Sequence, residues 1–182
     1  MEVCSMKKLL LLLLLLCLVP CALAEDALLT EDDFTFRLSQ EEDAPVFRLG
    51  EEADALLAAI EQHTGMAMQM TFEDQDCMLP GMTREYMAPD ESLVLATRPL
   101  PGNEKANTLE TIQVLTEDYV TFRGAKVGMT LEEIAALYGD GYALDYDTAF
   151  YSNGPLEPQM MFFFDMETWK CIGWMLFRNM VI

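Results

Sequence analysis

His63 is the residue on which most enzymatic mechanisms in this chain would depend. A serine or cysteine nucleophile needs a general base, most often a histidine, and His63 is the only histidine in the sequence. It falls in the last turn of a predicted helix, where a cationic side chain interacts favourably with the negative end of the helix dipole. We therefore interpret it as structural. The sequence shows no phosphate-binding loop, zinc-ligand spacing or nucleophile elbow, and we predict no catalytic residue and no cofactor.

Acidic residues are too abundant to identify a catalytic pair by themselves. The chain has 31 Asp and Glu residues, so a carboxylate-dependent hydrolase remains an alternative without assigned residues. Asp140, Asp145 and Asp147 lie close together in the sequence. Their order lacks the glycine and the terminal glutamate of an EF-hand calcium loop, and we interpret them as solvated acids of turns and strand edges.

Three alternating methionines suggest a second kind of metal site. Met66, Met68 and Met70 would place their thioethers on one face of a strand, near His63 and Cys77 in the sequence. Such soft ligands suit Cu(I). Methionine also fills gaps in protein cores, and the same alternation fits packing. A Cu(I)-binding protein is therefore an alternative, and we assign no metal ligand.

The first residues have the features of a signal peptide. A basic segment at residues 6–8 precedes an apolar stretch at 9–19, and Ala22-Leu23-Ala24 supplies small residues before Glu25. We predict cleavage after Ala24. The apolar stretch is shorter than the roughly 20 residues of a membrane span. The sequence thus predicts a secreted protein whose mature form, starting at Glu25, has no transmembrane segment.

The sequence does not predict a lipid anchor. Bacterial lipoproteins resemble one another in having a small residue just before the modified cysteine. Here Cys21 follows Pro20, and Cys17 follows Leu16. We therefore expect release of the protein rather than lipidation at Cys21.

Two cysteines remain after the predicted cleavage. Cys77 and Cys171 belong to different halves of the chain, and free cysteine is among the most buried residue types. We predict two inert, buried thiols. A disulfide between them stays open, because secreted proteins fold in an oxidising environment.

The charge of the chain restricts its partners. The net charge is −20 at pH 7, and loss of Lys7, Lys8 and Glu2 with the signal peptide would make it one unit more negative. Such a surface repels nucleic acids and anionic lipids. It would suit a cationic partner, calcium-rich surroundings or simple solubility, and solubility is the default interpretation. We predict a protein or peptide partner on other grounds, given below, and no nucleic acid.

The chain contains an internal repeat. Residues 30–37 recur as residues 116–123, with six of the eight positions identical. Each copy is followed by the spacing of an amphipathic helix, whose apolar faces are Ala53, Leu56, Leu57, Ile60 and Leu131, Ile134, Ala135, Tyr138. Residues 39–45 form an insertion of loop composition in the first copy only. We predict a first unit with an N-terminal hairpin over residues 25–115 and a second unit over 116–182.

Both predicted helices have residues that are typical of helix ends. Thr130 and Glu133 have capping-box spacing, and Gly139 is placed to end the second helix in a left-handed conformation. Gly65 is placed to end the first helix in the same way.

Strand patterns follow each helix. In the first unit they cover residues 66–72, 83–87, 92–98 and 111–115; in the second they cover 142–146, 149–152, 159–164 and 171–177. Residues 99–107 and 152–158 have loop composition. The predicted fold class is α+β, with two tandem units that each pack one helix on an antiparallel sheet.

The segment Gly128-Met129-Thr130-Leu131-Glu132-Glu133-Ile134, followed by Leu137 and Gly139, resembles a known helix start. It is similar to that of the beta-lactamase inhibitory protein family and of small outer-membrane assembly lipoproteins of the SmpA/OmlA type. The mature chain also looks like secreted bacterial proteins with two such units. The resemblance implies tandem helix-and-sheet repeats and protein binding. The first copy departs from the motif, with Glu51-Glu52 in place of Met129-Thr130.

Aromatic residues of the second unit suggest a binding surface. A helix covers only one face of a sheet, so the other face needs the second unit, the N-terminal segment or a partner to cover it. We assign the protein-binding face to Phe162, Phe164, Trp174 and Leu176, and expect Ile172 to share a face with Trp174. The predicted function is a secreted, non-enzymatic protein-binding module that uses an open sheet face. The main alternative is an envelope-associated structural protein without a discrete ligand site.

Overall fold

A computed structural model describes residues 28–41 and 43–178 of the chain. The predicted cleavage site after Ala24 and the cysteines Cys17 and Cys21 lie outside these residues. Within them, no helix is long and apolar enough to cross a membrane.

The described residues form an α+β fold around one large antiparallel sheet. Its strand order is β3-β4-β5-β6-β11-β10-β9-β8. The bounds are β3 Gln69–Gln75, β4 Met82–Met87, β5 Leu93–Leu100, β6 Asn103–Val114, β8 Ala143–Asp145, β9 Thr148–Ser152, β10 Gln159–Phe164 and β11 Cys171–Phe177. Strands β3 to β6 form one meander and β8 to β11 a second. The two meanders join through the pairing of β6 with β11.

A small sheet and two helices pack on one face of the large sheet. The small sheet has the order β2-β1-β7, with β1 Thr35–Arg37, β2 Val46–Arg48 and β7 Val120–Thr121. The helices are α1 Ala53–Thr64 and α2 Leu131–Tyr138. Buried residues of both helices, such as Ile60 and Ile134, belong to the same apolar cluster as Leu95 of β5 and Phe162 of β10. One core therefore lies between the helices and the sheet.

The helix ends follow from local residues. The hydroxyl of Thr130 accepts a hydrogen bond from the backbone N–H of Glu133 at 3.2 Å, and the Glu133 carboxylate accepts one from the N–H of Thr130 at 2.8 Å. This is the predicted capping box, which satisfies two N–H groups of the first turn. Gly65 ends α1 in the left-handed conformation. Gly139 ends α2 with a positive φ of 84°, but its ψ of 175° lies outside the left-handed helical region.

Each helix is preceded by a glycine whose backbone N–H is hydrogen-bonded to the last strand of the meander that follows that helix. The N–H of Gly50 donates to the carbonyl oxygen of Leu109 at 2.8 Å, and the N–H of Gly128 donates to that of Cys171 at 2.7 Å. In return, Leu109 and Cys171 donate to the residue after each glycine. The two helix starts thus make the same backbone contacts with β6 and β11.

The chain between β5 and β6 differs from the prediction. Residues 99–107 were expected to form a loop, whereas β5 continues to Leu100 and β6 begins at Asn103. The pair Leu100–Asn103 closes the hairpin around Pro101 and Gly102. A two-residue turn with a glycine at positive φ suffices to reverse the chain, so the rest of the polar stretch is free to pair.

Candidate functional site

The four residues predicted to form a binding face lie in the core. Phe162, Phe164, Trp174 and Leu176 are all buried, because the helices and the small sheet pack on their side of the large sheet. The ring of Phe36 in β1, for example, lies 6.4 Å from that of Trp174. These residues therefore cannot contact a partner in this conformation, and the assigned face is wrong.

A β-bulge explains one part of this error. Phe163 pairs with Gly173 and Phe164 pairs with Cys171, so Ile172 is an extra residue in β11. A bulge interrupts the alternation of side chains between the two faces. Ile172 is accordingly exposed, while Cys171 is buried with Trp174. The expected sharing of one face by Ile172 and Trp174 is wrong for this reason.

The alternate residues of the same strands form the opposite face of the large sheet, which we call the outward face. One row of directly paired residues crosses all eight strands. We call it the methionine row, and it consists of Gln69, Met87, Val94, Gln113, Met175, Met161, Phe150 and Ala143. Directly paired residues point to the same side of a sheet. Six of the eight side chains are apolar. They form one pair, Met87 and Val94, and one run of four from Met175 to Ala143, with Gln113 between them.

A second row of paired residues runs beside it. It contains Ser152, Gln159, Phe177, Thr111, Ala96, Glu85 and Phe72. Phe177 adds an apolar side chain next to the methionine row. Its paired neighbours, Gln159 and Thr111, are polar and can form hydrogen bonds. The row also adds the carboxylate of Glu85 to the face.

Phe163 adds an apolar side chain on the other side of the methionine row. A side chain at its partner Gly173 would approach the Leu115 side chain to 2.7 Å and the Phe163 ring to 3.7 Å. Leu115, Ile172 and Phe72 are exposed, whereas Met161, Phe163, Met175 and Phe177 are half-buried by their neighbours on the face. Apolar side chains thus cover the centre of the outward face without belonging to the buried core cluster.

The outward face was not predicted from the sequence, although the sequence of β10 indicates that both faces of this strand are apolar. Residues 160–164 are all hydrophobic, and such a run predicts a strand with two apolar faces. It does not tell which of the two faces the helices cover. Only the packing of α1, α2 and the small sheet decides that point.

The described residues do not support a metal centre. They contain no group of three or more His, Cys, Asp or Glu side chains that could hold a metal ion. Met66 and Met70 are exposed, while Met68 packs against the core, so the predicted stripe of three thioethers is not a uniform surface. Met66 also precedes β3, which begins at Gln69.

The two remaining cysteines occupy different environments. Cys171 is a buried free thiol, as predicted, but Cys77 is exposed. Its position in the turn after β3 leaves it outside the core, so the prediction of a buried thiol is wrong for Cys77. Burial raises the pKa of Cys171 to about 11, which keeps that thiol protonated and unreactive.

His63 lies in the last turn of α1, as predicted, and lines a cavity together with Asp90 and Asp118. Hydrolysis by a carboxylate pair needs a general acid whose pKa is raised. Hydrogen bonds from the hydroxyl and backbone N–H of Ser92 instead lower the pKa of Asp90. These hydrogen bonds stabilise the ionised form of Asp90, so Asp90 lacks the raised pKa of a general acid.

No family model matches the sequence, and no curated protein matches it. One similar solved structure is an extracellular protein containing an SCP domain from Bacillus anthracis str. Ames, with 11% identity and a TM-score of 0.43. The match covers 72% of this chain and 44% of that chain, so this chain spans less than half of the length of that protein.

Proposed function

We propose that the chain is a secreted protein-binding module that docks a partner on its outward sheet face. The observation that carries the proposal is the methionine row, in which six of eight paired residues are apolar on the side of the sheet away from the helices. Clustered apolar side chains on a surface are typical of protein interaction sites. Methionine side chains adapt to irregular partner surfaces and are frequent at sites that bind several partners.

We further propose that the scaffold is a tandem duplication. The matching contacts of Gly50 and Gly128 support it, as do the two meanders of four strands that each follow a helix. In such a duplication, the joining of β6 to β11 makes one binding face from both units. Protein binding also accords with what the resemblance of residues 128–134 implies.

The charge of the chain indicates the chemistry of the partner. With a net charge of −20, the protein attracts cationic surfaces and repels anionic ones. The centre of the outward face is apolar, and acids such as Glu85 lie beside it. The partner that fits is a basic protein segment with apolar side chains on one side.

Methyl NMR of the methionines tests this proposal. A short peptide of alternating lysine and leucine is added to the exported chain, and a peptide of alternating lysine and serine serves as the charge-matched control. We expect the leucine peptide to shift the ε-methyl signals of Met87, Met161 and Met175. The signals of Met160, which is buried, and Met166, which is exposed in the turn after β10, should stay in place.

A pair of variants measures the contribution of the row. Met161→Gln should weaken binding of the leucine peptide by roughly tenfold, because burying a methionine side chain contributes about 1.5–3 kcal/mol. Met166→Gln is the matched control and should leave the affinity unchanged. Equal shifts with both peptides, or an equal loss of affinity in both variants, would show that the outward face is not the binding surface.

A further inference from the structure

A cavity of about 430 Å³ opens on the helix side of the sheet. Four segments meet there: the end of α1, the turn between β4 and β5, the linker between β6 and β7, and the chain that follows β1. Leu38, Ile60 and Ala88 provide buried apolar wall. The volume lies within the range of small-molecule sites. The cavity shares no residue with the outward face, so its occupant is independent of the function proposed above.

Tyr119 is the buried polar group in the wall of this cavity. It is only 4% exposed, and its ring packs edge-on against Phe36 at 6.3 Å. Among the described residues, its hydroxyl has no hydrogen-bond partner. Because Tyr119 lines the cavity, this hydroxyl is available to a ligand that enters it. Asp90 and Asp118 line the same cavity as Tyr119. Desolvation raises the pKa of Tyr119, and the charges of these two carboxylates raise it further.

The charges around the cavity favour a cation. Asp90 uses one carboxylate oxygen, Oδ1, to accept hydrogen bonds from the N–H of Ser92 at 3.1 Å and its hydroxyl at 2.7 Å. Its second oxygen, Oδ2, is left for another donor. No lysine or arginine is among the described residues that line the cavity. The C-terminal end of α1, at His63 and Thr64, adds the negative end of a helix dipole.

We propose that this cavity binds a small ligand that carries a primary ammonium group on a short hydrocarbon chain. The ammonium donates hydrogen bonds to the Tyr119 hydroxyl oxygen and to Oδ2 of Asp90, since an ammonium group has three donors and no acceptor. The hydrocarbon part packs against Leu38, Ile60 and Ala88. Asp118 balances the charge from the open side.

The first two residues of the insertion at residues 39–45 contribute to the cavity wall. Ser39 and Gln40 line it, and Gln40 is held from two directions. Its side-chain amide donates to the carbonyl oxygen of Glu117 at 3.3 Å and accepts a hydrogen bond from Lys126 at 3.0 Å. The repeat comparison places this insertion in the first unit only, so the second unit has no sequence counterpart of this wall.

Calorimetric titration of the exported chain with butylammonium chloride tests the proposal. The titration is run near pH 8, where ordinary imidazole groups are neutral. Butanol, butyrate and tetramethylammonium are the comparison compounds, because they lack the charge, reverse it or lack the N–H donors. We expect saturable binding of butylammonium with a Kd on the order of 1 mM, and at least tenfold weaker binding of the other three.

Three variants locate the site. Tyr119→Phe keeps the ring and removes the hydroxyl, and Asp90→Asn removes the charge; each should weaken butylammonium binding by about tenfold, the value of one charge-assisted hydrogen bond. Asp165→Asn is the matched control, since Asp165 accepts equivalent hydrogen bonds from Thr168 in a turn of the second unit. This variant should bind butylammonium with the same affinity as the wild type.

Three results would contradict the proposal, each in a different way. Absence of butylammonium binding, or equal binding of butanol, would overturn the proposal. Equal weakening by Asp90→Asn and Asp165→Asn would show that the cation binds the acidic surface at large. Strong binding of tetramethylammonium would reject the assigned hydrogen bonds. None of these results bears on the outward face.

Discussion

The guanidinium group of Arg123 donates two parallel hydrogen bonds to the carboxylate of Asp33, from Nε to Oδ1 and from Nη2 to Oδ2, both at 2.6 Å. The Asp33 side chain is 0% exposed and that of Arg123 is 22% exposed. Arg123 also donates to the carbonyl oxygen of Leu137 at 3.1 Å and lies over the ring of Tyr138 at 4.9 Å. One side chain therefore ties the turn before β1 to the end of α2.

Arg123→Ala should destabilise the protein by roughly 3–5 kcal/mol, because it leaves the buried Asp33 carboxylate without its cation. Urea denaturation measures the free energy of unfolding. Arg84→Ala is the control, since Arg84 pairs with Glu73 at 2.7 Å in a more exposed place, and exposed pairs contribute less than about 1 kcal/mol. Equal losses in the two variants would contradict the structural role of the Arg123–Asp33 pair.

Asp76 should make the stability depend on acid pH. Two hydrogen bonds from Arg98 hold the pKa of its carboxyl well below the usual range, against the opposing effect of burial; the backbone N–H groups of Met78 and Leu79 lower it further. A depressed pKa in the folded state stabilises the protein fully above the unfolded pKa of about 4, and the stabilisation is lost as the pH falls toward the folded pKa.

We therefore expect the unfolding free energy of the wild type to fall between about pH 5 and pH 2. Asp76→Asn should be less stable at pH 7 and should show a shallower fall over that interval in urea denaturation. Glu110 also bonds Arg98, but desolvation raises its pKa, so its protonation has the opposite effect on stability. Parallel pH curves for wild type and Asp76→Asn would rule out the assigned role of Asp76.

Neighbouring phenylalanines in β10 should differ strongly in their contribution to stability. Phe162 is buried between the rings of Tyr138 and Tyr151, at 5.9 Å and 6.0 Å, whereas Phe163 lies on the outward face. Phe162→Ala should cost about 3–5 kcal/mol of unfolding free energy. Phe163→Ala should cost roughly 1 kcal/mol, because much of its ring already contacts water. A larger loss for Phe163→Ala would mean that the two faces are assigned the wrong way round.

The features that the sequence predicted correctly are local. The capping box of Thr130 and Glu133 and the glycine end of α1 depend on residues a few positions apart, and they are present as expected. The pairing of β6 with β11 joins residues about 60 positions apart, and no pattern in either strand specifies it. The prediction of the binding face was wrong for the same reason, since the side of β10 that becomes buried depends on where the helices pack.

The two cysteine thiols among the described residues should react very differently. Cys77 is exposed, while Cys171 is buried and its pKa is raised to about 11. Iodoacetamide at neutral pH should label Cys77 in the native protein, and Cys171 only after unfolding in urea, because the thiolate is the reactive form and needs access. Mass spectrometry of peptides identifies the labelled site. Labelling of neither cysteine before reduction would instead reveal a disulfide between them.

Gly50 and Gly128 provide a matched pair of sites for testing the proposed duplication. Both have a φ of +91°, a conformation that costs other residues about 1–3 kcal/mol. A Cβ at Gly128 would meet nothing within 4 Å, whereas one at Gly50 would lie 2.6 Å from Nη1 of Arg178. Gly128→Ala should therefore lower the unfolding free energy by the cost of backbone strain alone. Gly50→Ala should lower it only slightly more, because the exposed Arg178 side chain can move aside.

Adding Arg178→Ala to the Gly50→Ala variant separates the two contributions. Compared with Arg178→Ala alone, the cost of Gly50→Ala should fall to that of Gly128→Ala, since the obstructing side chain is gone and equal backbone strain remains. Urea denaturation of the four variants provides the values. If the cost at Gly50 stayed well above that at Gly128 in the absence of Arg178, the two helix starts would differ energetically. The similar hydrogen bonds would then be weak support for descent from one repeated unit.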